Sequence, residues 1–170
     1  DVGLADAPRT VLVACVVQDG TVTWTHVGDS RAYLIRRGAL VARTHDHSYV
    51  QHLVDVGRIS EDEAGLHPER NLVLRCIGGD EAPPLPQPES MVLKKGDVVL
   101  LCSDGFWGSL APAELLAGLP GRALKEEVDA LVRRAEARAG AQCDNVSVMA
   151  IVWNERNRRS EPSAGVPNQT

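Results

Sequence analysis

The segment that decides the fold reads VVLLCSDGFW at residues 98–107. Its first five residues are apolar without interruption. Such a run is typical of a strand buried on both faces, because a strand with one face in water alternates apolar and polar residues. Asp104 therefore follows a buried strand, where an unpaired carboxylate is costly to remove from water. Two interpretations stay open: Ser103, Asp104 and Gly105 form a simple turn, or the carboxylate meets a cation such as a metal ion.

Length and composition indicate one globular domain. The chain has 170 residues, 44% of them hydrophobic, which is enough for a substantial core. A net charge of −5 gives no basic surplus of the kind that binds nucleic acid. No apolar run is long enough to span a membrane, and no signal segment opens the chain. The four cysteines form no Cys-x-x-Cys pair, which favours reduced thiols over zinc or redox motifs. We expect a cytoplasmic protein that binds neither nucleic acid nor a membrane.

The first forty residues predict an antiparallel meander. Asp19-Gly20 and Arg37-Gly38 are typical of the tight turns between strands. Gly28-Asp29-Ser30-Arg31 interrupts the pattern before a further strand begins. The apolar and β-branched runs of strand length occupy residues 10–17, 21–27, 32–35 and 40–42.

Helical spacing and turn residues follow. Ser48 or Asp46 can cap a short helix that ends near Gly57, and the stretch Ser60-Glu61-Asp62-Glu63 is typical of a capping box. Residues 65–88, with five prolines, predict a long surface excursion.

The last third predicts a hairpin, two helices and a final strand. The hairpin joins residues 91–93 to 98–101 around Lys95-Gly96-Asp97. The helices cover residues 113–119, with Pro112 in the first turn, and 122–139, ending at Gly140. The last strand is 146–153. We therefore expect one domain over residues 1–153 and a disordered polar tail over 154–170.

Three aspartates share a position relative to the predicted strands. Asp29 lies at a break between strands, Asp104 just after a buried strand and Asp144 just before the last strand. If these strands pair in one core, the three carboxylates meet at one rim, where their mutual repulsion favours a hard divalent cation. Oxygen ligands suit Mg²⁺ or Mn²⁺ better than zinc. Two such ions can activate a water and clamp the oxygens of a displacement at phosphorus, so the chemistry suggested is phosphoester hydrolysis.

Five motifs in order resemble the bacterial metal-dependent serine/threonine phosphatases of type 2C, the PPM family. The resemblance covers about residues 10 to 153, and several ordered motifs are more specific than any single one. The motifs are Val27-Gly28-Asp29-Ser30-Arg31-Ala32-Tyr33-Leu34, Asp46-His47-Ser48, His67-Pro68-Glu69-Arg70-Asn71, Leu101-Cys102-Ser103-Asp104-Gly105-Phe106-Trp107 and Asp144-Asn145-Val146-Ser147-Val148.

This resemblance implies an α+β fold, a β-sandwich with helices outside both sheets in αββα layers. Asp104 and Asp144 match the family's ligands for a pair of Mn²⁺ or Mg²⁺ ions. Asp29 matches an aspartate that helps to hold a third, weaker ion with the residue matched by Asp104. Residues 57–80 resemble the flap beside the active site. The catalytic group that the resemblance implies is a metal-bound water, and no amino-acid side chain is implied in that role.

The family's amino-terminal motifs have no match here. They comprise an acidic pair, a second Asp-Gly motif and a phosphate-holding arginine. Asp19-Gly20 is assigned only a hairpin turn. We expect a chain with half of the metal ligands, either a fragment of a phosphatase or a product that has lost the site. A missing segment would also leave sheet edges and apolar surface exposed.

The implied function is hydrolysis of phosphoserine and phosphothreonine in proteins, within a larger complete domain. The expected partners are phosphorylated proteins and a serine/threonine kinase. Two alternatives stay open: a regulatory or binding module with the same fold, and a phosphoesterase for small molecules.

Other candidate side chains receive structural interpretations. For His45 and His47, roles in a loop or at a helix start are favoured over metal binding. We expect Ser30 and Ser103 to bond turn backbone. Arg31 can contact a phosphate or pair with a carboxylate, and the pair is favoured. The tryptophans are assigned to core packing, and Cys102 to an inert thiol.

Overall fold

The computed structural model describes residues 8–78, 86–119, 123–140 and 144–154. Its strands form two antiparallel sheets. The three-stranded sheet contains, in spatial order, β1 (Leu12–Gln18), β2 (Thr21–Val27) and β5 (Glu89–Val92). The four-stranded sheet contains β4 (Ala39–Arg43), β3 (Arg31–Arg36), β6 (Val98–Cys102) and β7 (Val148–Val152). The helices are α1 (Tyr49–Asp55), α2 (Glu61–Leu66), α3 (Asp104–Trp107), α4 (Pro112–Ala117) and α5 (Leu124–Ala139).

The two sheets pack face to face through an apolar layer. Alternation along each strand sends every second side chain into this layer. Its buried members are Val22, Trp24, Ala32, Leu34, Leu93 and Val99. The α+β sandwich expected from the sequence is thus confirmed.

Strand β6 is covered on both faces, as its continuous apolar run predicts. Val99 lies in the layer between the sheets. Val98 and Leu100 face the other way, into a cluster that includes Phe106 of α3 and Leu131 of α5. Helices α3, α4 and α5 therefore form a layer on the outer face of the four-stranded sheet. Among the described residues, no helix combines the length and apolar character needed to cross a membrane.

The outer face of the three-stranded sheet differs from this arrangement. Val16 and Val92 point away from the sandwich interior and are 62% and 71% exposed. The family resemblance implies helices outside both sheets. The described residues place a helical layer over the four-stranded sheet but leave these two side chains in water.

The predicted meander over the first forty residues is wrong. β1 pairs with β2 in one sheet, whereas β3 pairs with β4 in the other. The chain crosses between sheets at Gly28, Asp29 and Ser30, and Gly28 has φ +108°, which favours glycine. The sequence marked this break but not that it separates two sheets.

The predicted hairpin between residues 91–93 and 98–101 is also wrong. β5 pairs with β2, and β6 pairs with β3 and β7. The intervening turn crosses the sandwich and is held by Asp97, whose buried carboxylate pairs with Arg36 at 2.7 Å and accepts the Lys94 N–H at 2.8 Å. Although burial raises the pKa of Asp97, these partners outweigh it and hold the pKa below its usual value.

The helix signals are largely confirmed. Ser48 accepts the Gln51 N–H as N-cap of α1, and Ser60 with Glu63 forms the predicted capping box of α2. The excursion that follows is tied to the domain by a bridge between Ser48 and Val73. Helix α5 begins at Leu124 and ends at Ala139, with Gly140 as its C-cap. Arg122, residues 79 and 80 of the predicted flap, Cys143 and the predicted tail from residue 155 lie outside the described residues.

The buried layer between the sheets predicts a clear ordering of truncations. Leu34→Ala removes a fully buried side chain from this layer and should lower the free energy of unfolding by about 3 kcal/mol. Val16→Ala, on the exposed outer face, should lower it by less than about 0.5 kcal/mol. Urea unfolding measures both. Similar losses for the two variants would contradict the sandwich.

Candidate metal centre

The sheet topology brings the three aspartates to one rim. Strand β6 runs antiparallel to both β3 and β7, with Cys102 opposite Arg31 on one side and Val148 on the other. The carboxyl end of β6 therefore lies beside the amino ends of its two neighbours. Asp104 follows the former, and Asp29 and Asp144 precede the latter.

Asp29 lies on the tight crossing between β2 and β3 and is 7% exposed. A Cβ on the preceding Gly28 would lie 2.2 Å from Cγ1 of Val11, so only glycine fits there. The crossing is held from the other side by His47, whose N–H donates to the Gly28 carbonyl at 2.9 Å and whose Nδ1 accepts the Gly28 N–H at 3.2 Å. The backbone that carries Asp29 is thus tightly fixed.

Asp104 begins the one-turn helix α3 and is half-buried. A Cβ on Gly105 would lie 2.7 Å from the Asn145 carbonyl oxygen and 3.1 Å from that of Asp144. Absence of a side chain at residue 105 lets the two turns touch. The turn that carries Asp104 therefore packs directly on the turn that carries Asp144.

Ser103 fastens these two turns together. Its hydroxyl donates to the Asn145 carbonyl at 2.9 Å and accepts the Ser147 N–H at 3.0 Å. This confirms the backbone role predicted for Ser103. The second of these bonds uses the Ser147 N–H, and β7 begins one residue later, at Val148 and not at the predicted residue 146.

The carboxylates of both turns bond the next residue in the same way. Asp104 Oδ1 accepts the Gly105 N–H at 2.9 Å, and Asp144 Oδ1 accepts the Asn145 N–H at 2.7 Å. Ser103, Asp104 and Gly105 thus form the N-terminal turn of helix α3 and not the simple turn that was the first interpretation. The bond of Asp104 to Gly105 does not exclude a cation, because a carboxylate offers several acceptor positions.

The negative charge of Asp104 acts on the carboxyl group of Asp29. Burial, followed by the negative charge of Asp104, raises the pKa of Asp29 to about 6 from its usual value near 3.8. A nearby divalent cation would reverse this effect by favouring the charged form of both groups.

The described part of the chain does not by itself form a finished metal site. Within residues 8–78, 86–119, 123–140 and 144–154, no three His, Cys, Asp or Glu side chains are arranged to hold a metal ion. The donors at the rim are hard carboxylate oxygens, which fit Mg²⁺ or Mn²⁺ in chemistry. The rim thus supplies part of a ligand set.

Arg31 pairs with a carboxylate, as the sequence favoured. Its Nε and Nη2 donate to Asp46 at 2.9 and 2.7 Å, and Nη1 donates to the Tyr33 hydroxyl at 3.2 Å. Burial disfavours the charged guanidinium, but the hydrogen bond to Asp46 raises the pKa of Arg31 above its usual value.

The two histidines point to different partners and do not form a metal pair. His45 Nε2 bonds Asp55 Oδ1 at 2.9 Å, and His47 stacks on His26 with ring centroids 4.5 Å apart. Burial, with a further contribution from His26, lowers the pKa of His47 to about 4. Neutral His47 can therefore accept the Gly28 N–H throughout the physiological range.

Cys102 and Trp107 flank the Asp104 turn with different outcomes. Burial raises the pKa of the Cys102 thiol well above its usual value, which matches the inert thiol that we expected. Trp107 packs beside the outer core, but its indole Nε1 also donates to the Asp29 carbonyl at 3.0 Å. The sequence predicted only core packing for Trp107 and not this bond. The one signal in the sequence was the position of Trp107, three residues after Asp104.

Comparison with known proteins identifies the relatives. No protein-family model matches the chain. The chain is 38% identical over 141 residues to the serine/threonine protein phosphatase PstP of Mycobacterium tuberculosis, over 82% of this chain and 26% of that protein. It is 34% identical over 151 residues to the serine/threonine phosphatase stp of Listeria innocua, over 87% of this chain and 57% of that protein.

Solved structures give the same result. The crystal structure of the M. tuberculosis phosphatase PstP/Ppp matches with a TM-score of 0.75 and 34% identity, over 85% of this chain and 60% of that chain. A structure of the PstP catalytic domain in complex with two manganese ions matches with a TM-score of 0.70 and 34% identity, over 84% of this chain and 57% of that chain. The chain thus spans less than two thirds of the length of these relatives.

The contact at Gly105 predicts a specific steric effect. Gly105→Ala places a methyl group against the Asn145 carbonyl and should lower the free energy of unfolding by about 2 kcal/mol, because the two turns must separate. Gly65→Ala in α2, where a Cβ meets nothing within 4 Å, is the matched control and should be neutral or slightly stabilising. Urea unfolding of both variants is the measurement. A neutral Gly105→Ala would show that the turns do not touch.

The raised pKa of Asp29 predicts a pH dependence in metal-free protein. The folded state favours the protonated carboxyl, so the stability contributed by this group is present below about pH 4 and is lost as pH rises through about 6. Asp29→Asn lacks this loss. In EDTA it should be more stable than wild type by about 1 kcal/mol at pH 8, allowing for solvent screening, and equally stable at pH 4.

Thermal unfolding across this pH range measures the difference. Asp19→Asn, an exposed carboxylate in the β1–β2 turn, controls for the loss of one charge. A constant difference between Asp29→Asn and wild type from pH 4 to 8 would contradict the raised pKa of Asp29.

Proposed function

The chain belongs to the bacterial PP2C-type serine/threonine phosphatases, and we propose that it forms the carboxy-terminal part of a metal-dependent catalytic domain that removes phosphate from phosphoserine and phosphothreonine in proteins. One observation carries the proposal. The Asp104 turn packs on the Asp144 turn at a rim where Asp29 lies beside Asp104. Carboxylates so placed serve a divalent cation better than they serve stability, because they repel one another without it.

We assign the cation ligands by this placement and by the family resemblance. Asp104 and Asp144 would each contribute to a pair of Mn²⁺ or Mg²⁺ ions. Asp29 with Asp104 would hold a third, weaker ion. Such ions, when bound, lower the pKa of a water and neutralise charge on phosphate oxygens. The residues of this chain hold and orient the carboxylates, and no side chain here is assigned as nucleophile.

We further propose that residues outside this chain complete the site and the sandwich. Three features support this. The described residues contain no set of three metal-ligating side chains, and the chain spans 57% of the Listeria phosphatase. In addition, Met149 and Ile151 of β7 lie opposite Leu101 and Val99, on the side of the sheet that faces the sandwich interior, yet are 66% and 38% exposed. Apolar side chains on an interior face are normally covered.

The absence of a three-ligand set within the described residues also favours a second candidate, a regulatory or binding module that keeps the fold without turnover. As an enzyme, the complete protein would bind Mn²⁺ and need it for hydrolysis. As a regulatory module, it would not bind Mn²⁺. An enzyme that acts on small phosphoesters instead of phosphoproteins is separated from the first proposal by the choice of substrate.

The proposed reaction also implies a partner and a compartment. Phosphoserine and phosphothreonine are produced by serine/threonine kinases, so we propose such a kinase as the functional counterpart. We propose a cytoplasmic location, which is supported by the free thiols of Cys15, Cys76 and Cys102 in the described part of the chain.

Manganese titration calorimetry tests the proposal on the 170-residue chain and on the complete protein, with phosphopeptide and p-nitrophenyl phosphate hydrolysis followed in parallel. We expect tight binding and phosphopeptide turnover only in the complete protein. Asp144→Asn should weaken tight binding by on the order of 100-fold. Asp29→Ala should lower turnover while the tight pair still binds, because Asp29 contributes only to the weaker ion.

Asp19→Asn is the matched control. Asp19 lies in the turn beside Trp153, at the opposite end of β7 from Asp144, and its loss should change neither binding nor turnover. Loss of both tight ions in Asp29→Ala would refute the assignment of the third ion. Absence of Mn²⁺ binding by the complete protein would favour the regulatory module. Turnover of p-nitrophenyl phosphate but not of any phosphopeptide would favour a small-molecule enzyme.

A further inference from the structure

One side chain ties the Asp29 crossing to the helix that begins at Asp104. Trp107 lies three residues after Asp104, in the same one-turn helix α3. Its indole Nε1 donates to the backbone carbonyl of Asp29 at 3.0 Å. The bond spans 78 residues of sequence and joins the backbone at Asp29 to the helix that carries Asp104.

The ring of Trp107 is itself held in place. The guanidinium carbon of Arg31 lies 3.3 Å from the ring centroid, in a cation–π stack. Arg31 is fixed in turn by a bidentate salt bridge with Asp46, whose side chain is only 4% exposed. A bidentate salt bridge sets the orientation of the guanidinium plane as well as its position. We name this group of three residues the clamp: Trp107, Arg31 and Asp46.

Electrostatics explain why such a clamp is useful. Asp29 and Asp104 carry like charges on two different chain segments, so their repulsion drives the segments apart when no cation is bound. A metal site binds most tightly when its ligands are already at the bound spacing, because no free energy is then lost in bringing them together. The clamp resists the separation without touching the cation.

We propose that Trp107 and Arg31 are positioning residues that hold Asp29 at the spacing from Asp104 required by the weaker cation. This inference rests on the proposed function and adds a role that core packing does not supply. A tryptophan that served only to fill space would influence stability and not the cation requirement of the enzyme. Loss of the clamp should therefore weaken the binding of the weaker cation and leave the tight pair unchanged.

The test uses two conservative variants in the complete protein. Trp107→Phe keeps an aromatic ring beneath Arg31 but removes the N–H donor. Arg31→Lys keeps the charge but loses the bidentate salt bridge and the planar group that stacks on the ring. Trp153→Phe is the matched control, since Trp153 is another half-buried tryptophan, which packs at the far end of β7.

Three quantities are measured: Mn²⁺ binding by calorimetry, the Mn²⁺ concentration for half-maximal phosphopeptide hydrolysis, and the melting temperature in EDTA. We expect each clamp variant to weaken the weakest Mn²⁺ binding event and to raise the half-maximal concentration by about fivefold. Tight binding and the KM for phosphopeptide should be unchanged. The double variant should be little worse than the poorer single variant, because both residues act through one contact.

A readout without metal follows the clamp directly. In ¹⁵N-labelled protein, the indole N–H of Trp107 should exchange slowly with solvent, and Arg31→Lys should accelerate this exchange. If either variant folds poorly, the other still tests the proposal.

The outcomes separate this inference from the proposed function. If the wild-type protein binds Mn²⁺ and both clamp variants keep the weak binding event unchanged, the clamp is overturned but the proposed function is not. A lowered melting temperature of the variants would then show that these residues have a purely structural role. Equal effects of Trp153→Phe on the weak event would also overturn it. Absence of Mn²⁺ binding by the wild-type protein overturns both the proposed function and the clamp.

Discussion

The rest of the site depends on the contact between Gly105 and the Asn145 carbonyl. A Cβ at residue 105 would approach that oxygen to 2.7 Å, so the two turns touch only because glycine has no side chain. Ser103 then joins the same two turns through its hydroxyl. Without this contact Asp104 and Asp144 would lie at the ends of adjacent strands, but no close packing would fix one against the other.

The central strand β6 makes this contact possible. Because it runs antiparallel to both neighbours, its end meets the beginnings of β3 and β7. Strand β6 is buried on both faces, so its end is fixed by packing against both cores. The carboxylates therefore lie on a well-packed scaffold. Hydrogen bonds such as that of Trp107 oppose the repulsion between them.

Much of this arrangement could be predicted from the sequence because the signals are local. The apolar run 98–102 indicates a doubly buried strand by itself, and Ser60 with Glu63 specifies a helix start within four residues. The three aspartates at strand ends were also visible, and the topology confirms that they share a rim. Motif order added the family, which no single motif could supply.

What sequence reasoning missed depends on contacts between distant segments. A hairpin and a crossing between sheets have the same turn residues, so Lys95-Gly96-Asp97 gave the wrong pairing. The buried pair of Arg36 with Asp97 that marks the crossing spans 61 residues. The bond from Trp107 to Asp29 was invisible for the same reason. Apolar periodicity assigns a tryptophan to the core but does not show where its N–H points.

If the rim of Asp29, Asp104 and Asp144 is one side of a divalent-cation site, a crystal structure of the complete protein with Mn²⁺ will show it when anomalous scattering is recorded at the manganese edge. We predict anomalous peaks within coordination distance of the carboxylates of Asp104 and Asp144, and a weaker peak between Asp29 and Asp104. Peaks only elsewhere, with these carboxylates bound to protein groups alone, would rule out a cation site at this rim.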